Sequence, residues 1–182
     1  MNDKTTPNAY TPIMGTLAYI LDEAQRKVLL VHRTARPHDQ HLGKWNGLGG
    51  KVEAGEDLAA ATRREIAEEA NIQVTAMTLR GTISWPGFGT QGEDWFSLIF
   101  LITDWTGTPV TSNAEGDLEW IPVSRLLDAC SSEESLREKA DLPMWEGDHY
   151  FIPLVFDNDQ RVFHGVMPYS DGHPTSWTYE RH

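Results

Sequence analysis

The sequence predicts an α/β protein in which a mixed β-sheet lies between helices. Strand-like runs outnumber helical segments, and they do not alternate regularly with helices as they would in a parallel βαβ repeat. One strongly helical segment, between Leu58 and Ala70, follows a glycine-rich turn and interrupts the strands early. These observations favour strands of both directions in one sheet, with helices covering both of its faces.

The elements are assigned in order from β propensity, alternation and turn residues. Predicted strands cover residues 13–21, 28–33, 74–85, 95–103, 118–122 and 161–167. A short helix is predicted at 123–129, and the charged segment 131–141 is interpreted as an exposed helix or an insertion. Residues 1–10 are polar and aperiodic, so we expect a flexible N-terminus. The domain then covers 11–168, and the conformation of the C-terminal tail at 169–182 is left open.

The helical segment has one apolar face and one crowded acidic face. Leu58, Thr62, Ile66 and Ala70 recur at every fourth residue and predict a buried stripe. The charged side chains of the other face lie within one turn of each other: Arg64, Glu65, Glu68 and Glu69. Three carboxylates near a helix C-terminus repel one another, and each also faces the negative end of the helix dipole. A bare acidic pattern of this kind is more often a solvated face, but bound Mg²⁺ or Mn²⁺ would remove both penalties.

The acidic helix is part of a longer pattern. It resembles the signature of the Nudix hydrolases, G-x5-E-x7-R-E-U-x-E-E-x-G-U, in which U is aliphatic. The matching positions are Gly50, Glu56, Arg64, Glu65, Ile66, Glu68, Glu69 and Ile72. Asn71 is the one departure. It stands where the family has a glycine that ends the helix in a left-handed conformation, which asparagine tolerates better than most residues.

The resemblance implies the Nudix α/β/α sandwich and metal-dependent hydrolysis of a nucleoside diphosphate linked to another group. The implied metal is Mg²⁺, with Mn²⁺ as an alternative, and the implied ligands are the Gly49 carbonyl and the carboxylates of Glu65, Glu68, Glu69 and Glu115. Glu65 and Glu115 each remain open as ligand or general base, and an ordinary exposed loop carboxylate is the alternative for Glu115.

Other charged residues are interpreted as supporting this centre. Arg64, counted with the catalytic set, is interpreted as pairing with Glu56 to fix the loop and orient the metal-binding side chains. Arg33 and Lys51 are candidates for binding the substrate phosphates; the alternative for each is an ordinary surface charge.

Residues outside the signature point to a purine substrate. Residues 44–51, KWNGLGGK, resemble the segment that leads into the signature of the MutT-like enzymes, which remove oxidised purine nucleoside triphosphates. The Met144-Trp145 pair followed by Asp148 resembles the base-recognition segment of the animal members. The resemblance implies that Trp145 stacks on the purine while Asn46 and Asp148 read its edge; a core aromatic is the alternative for Trp145. Gly147 stands where the animal enzymes have the first of two aspartates.

Two histidines in the polar loop at 34–44 could suggest a zinc site. His38 and His41 lie close in sequence, but no cysteine or further histidine follows at ligand spacing. We therefore interpret both as ordinary loop residues.

Charge and cysteine content restrict the partners. A net charge of −12 argues against a nucleic-acid polymer or an anionic membrane, whereas a small nucleotide arriving with its metal is compatible. The single cysteine, Cys130, excludes disulfides within the chain and favours a reducing cytoplasm. No apolar run has membrane-spanning length, and the polar N-terminus does not resemble a signal peptide. A monomer and a homodimer both remain open.

Three functions fit the pattern. The leading one is hydrolysis of a purine nucleoside triphosphate, such as 8-oxo-dGTP, to the monophosphate and pyrophosphate. The second is hydrolysis of ADP-ribose, a nucleotide sugar or a dinucleoside polyphosphate, whose branches carry extra motifs that this chain lacks. The third is a non-catalytic nucleotide sensor, which typically loses the glutamates that this chain keeps.

Overall fold

The computed structural model describes residues 10–36 and 41–182. Within these residues the chain forms, in order, β1 (Ile13–Asp22), β2 (Lys27–His32), β3 (Trp45–Asn46), α1 (Leu58–Ala70), β4 (Gln73–Trp85), β5 (Trp95–Thr106), β6 (Asp117–Pro122), α2 (Val123–Ala129), α3 (Glu134–Ala140), α4 (Asp148–Phe156), β7 (Phe163–Val166), β8 (Tyr169–Ser170), β9 (His173–Pro174) and β10 (Thr178–Arg181). Every predicted strand is present, with ends that differ by three residues at most. Of the N-terminus expected to be flexible, residues 1–10, all but Tyr10 lie outside the described residues, as does His38.

Eight of the described strands form one mixed sheet. Its order is β10-β7-β4-β5-β1-β2-β3, and β6 also pairs with β2. The β1–β5 and β4–β7 pairs are parallel, whereas the other pairs are antiparallel. The predicted mixed sheet is therefore confirmed.

Two hydrophobic cores lie against the two faces of the sheet. One contains Ile66 and Ala70 of α1 together with Ile20 of β1. The other contains Phe151 of α4 and Leu126 of α2 together with neighbouring strand residues. Because helices cover both faces, the predicted α/β/α sandwich is confirmed.

Helix α1 begins and ends on residues suited to those positions. Asp57 caps its N-terminus by accepting hydrogen bonds from the backbone N–H groups of Ala59 and Ala60, each at 2.9 Å. Asn71 ends it with φ 57° and ψ 36°, and its N–H donates to the Ala67 carbonyl at 3.1 Å. The left-handed termination expected for Asn71 is confirmed.

Strands β1 and β2 pair only over Ile20–Asp22 and then diverge. The segment at residues 45–51 lies in the opening between them. It exchanges hydrogen bonds between Leu48 and Ala18 at 2.6 and 3.0 Å, and the Gly50 carbonyl accepts from the Thr16 N–H at 2.8 Å. Gly49 has φ 142°, and a Cβ there would overlap the Thr16 carbonyl, so only glycine fits this close approach.

The C-terminal tail is part of the fold. Strands β8 and β9 form a small hairpin, and β10 pairs antiparallel with β7 as the edge strand of the main sheet. Arg181 is mostly buried and donates to the Leu154 and Asp159 carbonyls at 3.3 and 2.8 Å. The chain therefore adds sheet structure in the region whose conformation its sequence leaves open.

A buried arginine holds the C-terminal end of α4. Arg80 of β4 is 2% exposed and donates to the carbonyls of Val155, Asp157 and Asp159 at 2.9, 3.1 and 2.9 Å. These carbonyls lie at or beyond the last turn of α4, where no helical N–H remains to bond them. Arg80 thus ties α4 to the centre of the sheet.

None of the described helices is long and apolar enough to span a membrane.

The left-handed backbone at Asn71 gives a first prediction. Asn71→Gly should leave the free energy of unfolding unchanged or slightly raised, because glycine has no Cβ to strain at positive φ. Asn71→Ala should lower it by about 1 kcal/mol, because alanine carries that strain. Urea unfolding of both variants measures the difference. A clear loss of stability in Asn71→Gly would mean that the asparagine side chain makes a stabilising contact.

Candidate active site

A cleft of about 390 Å³ opens beside the glycine segment, between the divergent strands and the N-terminal end of α4. One part of its wall is polar and comprises Arg33, Gly49, Gly50, Lys51 and Glu115. The other part is mainly aromatic and comprises Tyr19, Trp85, Phe88, Trp145, Phe151 and Tyr169, with Asn46 and Asp148 among them. A single cavity therefore joins a charged region to an aromatic one.

The acidic helix reaches the cleft through the glycine turn. A carboxylate oxygen of Glu69 accepts from the Gly49 N–H at 2.8 Å. A Cβ at Gly50 would lie 2.6 Å from the Glu65 carboxyl, so the turn and the helix are in direct contact. Burial, together with the negative charges of Glu115 and Glu65, raises the pKa of Glu69 to about 8. Glu65 and Glu115 are thus close enough to oppose the ionisation of Glu69.

Arg64 connects the helix to the loop before it. Its guanidinium donates to both oxygens of Glu56 at 2.8 and 3.1 Å, to the Lys51 carbonyl at 3.1 Å and to Glu65 at 2.8 Å. The Glu56 carboxylate in turn accepts from the Glu53 N–H at 2.7 Å. Arg64 and Glu56 thus form the charge pair that the sequence predicts, and Arg64 also binds the Glu65 carboxylate.

Glu115 comes from the loop before β6, far from the helix in sequence. Arg33 and Arg36 both pair with its carboxylate. Asn113 fixes the loop, because its side-chain oxygen accepts from the Glu115 N–H at 2.8 Å while its amide donates to the Glu69 carbonyl at 3.1 Å. Asn113 is therefore a site-building residue that the sequence did not single out.

The charged region has the donors for a hard cation. Its carboxylate oxygens suit Mg²⁺ or Mn²⁺, and burial together with the neighbouring Glu115 and Glu65 raises the pKa of Glu69. Among the described residues, no three aspartate, glutamate, histidine or cysteine side chains lie close enough together to hold a metal ion. Each carboxylate is instead engaged by a protein donor, and Glu68, 60% exposed, is 3.5 Å from Arg64.

Trp145 dominates the aromatic region. Its indole N–H donates to Nδ1 of His41 at 2.8 Å, and the Lys44 ammonium lies 4.7 Å from the centre of its ring. The Phe88 ring stands edge-on to it at 6.2 Å. The Trp145 ring is therefore fixed by the His41 hydrogen bond and by the Lys44 ammonium. It lines the cleft instead of lying in the core.

Asp148 and Asn46 stand beside this ring. The Asp148 carboxylate, at the start of α4, accepts a hydrogen bond from the backbone N–H of Trp145 at 3.2 Å. Desolvation by burial raises the pKa of Asp148 to about 7. The Asn46 amide lies 3.4 Å from His41 Nδ1, a long contact that leaves it able to turn toward a ligand. His41, interpreted from sequence as an ordinary loop residue, thus contacts two of the predicted base-binding residues.

Comparison with known proteins decides the family. A model of the NUDIX domain matches residues 11–142, well over half of the chain. The chain belongs to the Nudix family.

Relatives of this Nudix hydrolase are similar over most of the chain. It is 30% identical over 129 residues to the Mus musculus protein named oxidized purine nucleoside triphosphate hydrolase, a match that covers 71% of this chain and 72% of that protein. It is 34% identical over 117 residues to the Danio rerio protein of the same name, covering 62% of this chain and 63%, slightly under two thirds, of that protein. A Bacillus halodurans MutT protein structure superposes with a TM-score of 0.71 at 27% identity, over 92% of this chain and 97% of that one.

The predicted site residues of the Nudix hydrolase fall into three groups. Arg33, Asn46, Gly49, Lys51, Glu115, Trp145 and Asp148 line the cleft directly. Glu65 and Glu69 reach it through the glycine turn, whereas Glu68 and Arg64 lie outside its wall. Lys51 is exposed, and its ammonium lies 5.4 Å from the Trp95 ring centre. The roles of these residues remain proposals.

Several cleft residues, among them Phe88, Tyr169 and His41, have no signal in the sequence that assigns them to the site. Phe88 lies in the glycine-rich loop after β4, and its ring stands edge-on to that of Tyr169 from the tail at 5.0 Å. His41 bonds Trp145 from a distance of 104 positions along the chain. No local pattern announces such contacts, because each depends on which loops meet in the folded chain.

The raised pKa of Glu69 gives a second prediction. A carboxyl with a folded-state pKa of about 8, against 4.5 ordinarily, stabilises the folded protein at low pH and loses that contribution as the pH rises. In EDTA, the stability of the wild type should therefore fall between about pH 5 and about pH 9. Glu69→Gln should flatten part of this fall and should be the more stable protein at the alkaline end.

Thermal unfolding across this pH range, with and without Mg²⁺, measures the effect. Asp148, with its pKa raised to about 7, titrates in the same direction, so the informative quantity is the difference between wild type and variant. Glu119→Gln, at an exposed position on β6, is the matched control and should follow the wild type. Parallel pH curves for wild type and Glu69→Gln would contradict the prediction.

Proposed function

We propose that this Nudix hydrolase cleaves an oxidised purine nucleoside triphosphate, such as 8-oxo-dGTP, to the monophosphate and pyrophosphate. One observation carries the proposal: a single cleft joins a carboxylate region suited to a metal diphosphate and an aromatic region suited to a purine. The named activity of the mouse and zebrafish relatives agrees with this assignment.

The phosphates would lie against the glycine turn and the acidic helix. The carboxylates of Glu65, Glu68, Glu69 and Glu115, with the Gly49 carbonyl, would hold Mg²⁺, or Mn²⁺ in its place. The bound cation would neutralise phosphate charge and activate a water molecule. Lys51 and Arg33 would add positive charge, and Arg33 already contacts Glu115.

Proton transfer from the attacking water requires a carboxylate near the bound phosphates. Glu65 and Glu115 are both candidates: Arg64 holds the first at 2.8 Å, and two arginines pair with the second. The arginines hold each carboxylate in a fixed position beside the glycine turn, where it could accept a proton.

The purine would stack on Trp145. Lys44 and His41 already hold the ring, so little side-chain entropy is lost when a base stacks on it. Asp148, with a pKa of about 7, can donate a hydrogen bond when protonated and accept one when ionised. A protonated Asp148 suits the carbonyl of a guanine-type edge.

The metal requirement gives a third prediction. Glu68→Gln should lower kcat by orders of magnitude while leaving the melting temperature equal or higher, because it removes a ligand and relieves repulsion. Glu138→Gln, on the exposed face of α3, is the control and should retain full turnover. Pyrophosphate release from 8-oxo-dGTP is the assay, with excess EDTA as a second arm. Full turnover in EDTA or in Glu68→Gln would refute metal-dependent catalysis by this helix.

The aromatic region gives a fourth prediction. Trp145→Ala should raise KM for all purine nucleotides more than it lowers kcat, because stacking is worth about 1–3 kcal/mol per base. Trp145→Phe, which keeps a ring, should lose less. Asp148→Asn should reorder guanine-type against adenine-type substrates, because an amide presents a different donor and acceptor pattern.

The assay is kcat/KM for 8-oxo-dGTP, dGTP, dATP and dCTP, with ADP-ribose as a test of the alternative activity. Since Asp148 donates only below its pKa of about 7, the wild-type preference for 8-oxo-dGTP over dATP should be greater at about pH 6 than at about pH 8. Asp148→Asn should show no such change. Unchanged KM values and ranking in both variants would place base recognition elsewhere, and preferential hydrolysis of ADP-ribose would replace the proposed substrate.

A further inference from the structure

Tyr169 brings a hydroxyl group from the C-terminal tail into the aromatic region of the cleft. Its ring stands edge-on to Phe88 at 5.0 Å, and its backbone N–H donates to the Pro86 carbonyl at 2.8 Å. Two contacts to the loop after β4 therefore fix the position of the ring, which lines the same cleft as Trp145 and Asp148.

The hydroxyl lies directly over Gly147. A Cβ added to Gly147 would overlap the Tyr169 hydroxyl oxygen and would lie 2.7 Å from the Met167 sulfur. Gly147 has φ −64°, a backbone conformation open to any residue, so the glycine is required for space and not for its backbone freedom. Because of this overlap, the Tyr169 hydroxyl occupies the space that a side chain at position 147 would fill. Gly147 itself lies directly before Asp148 in the chain.

This hydroxyl makes no hydrogen bond to any described residue, although its ring is half-buried and packed. Among the described residues only Thr16 Oγ1 is a fully buried side-chain polar atom without a partner, so the unpaired Tyr169 hydroxyl is accessible from the open space of the cleft and can bond a ligand there. Burial and the nearby Asp148 and Glu146 carboxylates raise the pKa of Tyr169, so the group stays protonated over the working range. It can both donate and accept.

We propose that the Tyr169 hydroxyl is a substrate-binding group that hydrogen-bonds the edge of the base beside Asp148. The inference rests on the proposed function, because it requires a base stacked on Trp145. A neutral hydroxyl serves either a carbonyl or an amino group on the base. Tyr169 should therefore contribute to the affinity for guanine-type and adenine-type nucleotides alike, whereas Asp148 sets their order.

Tyr169→Phe tests the hydroxyl alone, since phenylalanine keeps the ring and its contact with Phe88. We expect KM for 8-oxo-dGTP and for dATP to rise about five- to tenfold, the effect of one lost hydrogen bond, with kcat nearly unchanged. The melting temperature should stay equal or rise, because the hydroxyl has no bond within the described structure to lose. Tyr150→Phe, an exposed tyrosine on α4, is the matched control and should match the wild type.

A double substitution at Gly147 and Tyr169 tests whether the two positions compete for the same space. Gly147→Asp alone should lower both stability and affinity, because the new side chain meets the Tyr169 hydroxyl. In Gly147→Asp/Tyr169→Phe the oxygen is gone, and the carboxyl can occupy its place once the flexible Met167 side chain shifts. The double variant should therefore melt higher than Gly147→Asp and should bind 8-oxo-dGMP, measured by calorimetry, more tightly than either single variant.

The outcomes separate this inference from the proposed function. If Trp145→Ala and Asp148→Asn leave KM unchanged, or if 8-oxo-dGMP does not bind the wild type, the base is not read here and both ideas fail. If those variants act as expected while Tyr169→Phe keeps the wild-type KM, only the role of Tyr169 is overturned. A fall in the melting temperature of Tyr169→Phe without a change in KM would make the hydroxyl structural.

Discussion

The cleft depends on the close backbone contact between strand β1 and the glycine segment. Over its first half β1 bonds to Leu48 and Gly50 and not to β2, and this pairing holds the two strands apart. Gly49 is required because a side chain would meet the Thr16 carbonyl, whereas a side chain at Gly50 would displace the Glu65 carboxyl. The same contact that opens the cleft therefore brings the acidic helix to its wall.

In the charged region, the carboxylates of Glu65 and Glu115 repel that of Glu69. Glu69 is buried near two other carboxylates, and its pKa is raised to about 8. Arg64 and Arg33 offset part of this charge and also fix the loops that carry Glu56 and Glu115. A site built this way gains free energy when a cation enters, because the repulsion among the carboxylates becomes attraction to the metal.

The aromatic region depends on parts of the chain that lie far from the Nudix signature. Helix α4 carries Asp148, and its far end is bonded to the sheet through Arg80. The tail supplies Tyr169 and then returns along β7 as β10, where Arg181 bonds the same helix end. Phe88 joins these pieces from the loop after β4. The aromatic wall of the cleft is therefore assembled from the loop after β4, the start of α4 and the C-terminal tail.

The sequence by itself determined the features that are local in the chain. The acidic helix, its left-handed end at Asn71, the glycine turn and most strand positions follow from spacing and propensity, because each involves residues within a few turns of one another. Trp145, Asn46 and Asp148, which likeness to a known pattern groups together, line one cleft in the folded chain. Only the tertiary structure decided the position of the tail, the contact of His41 with Trp145 and the overlap between Gly147 and Tyr169. Those contacts join residues up to 104 positions apart, and they depend on how packing orients whole elements, which no short sequence pattern encodes.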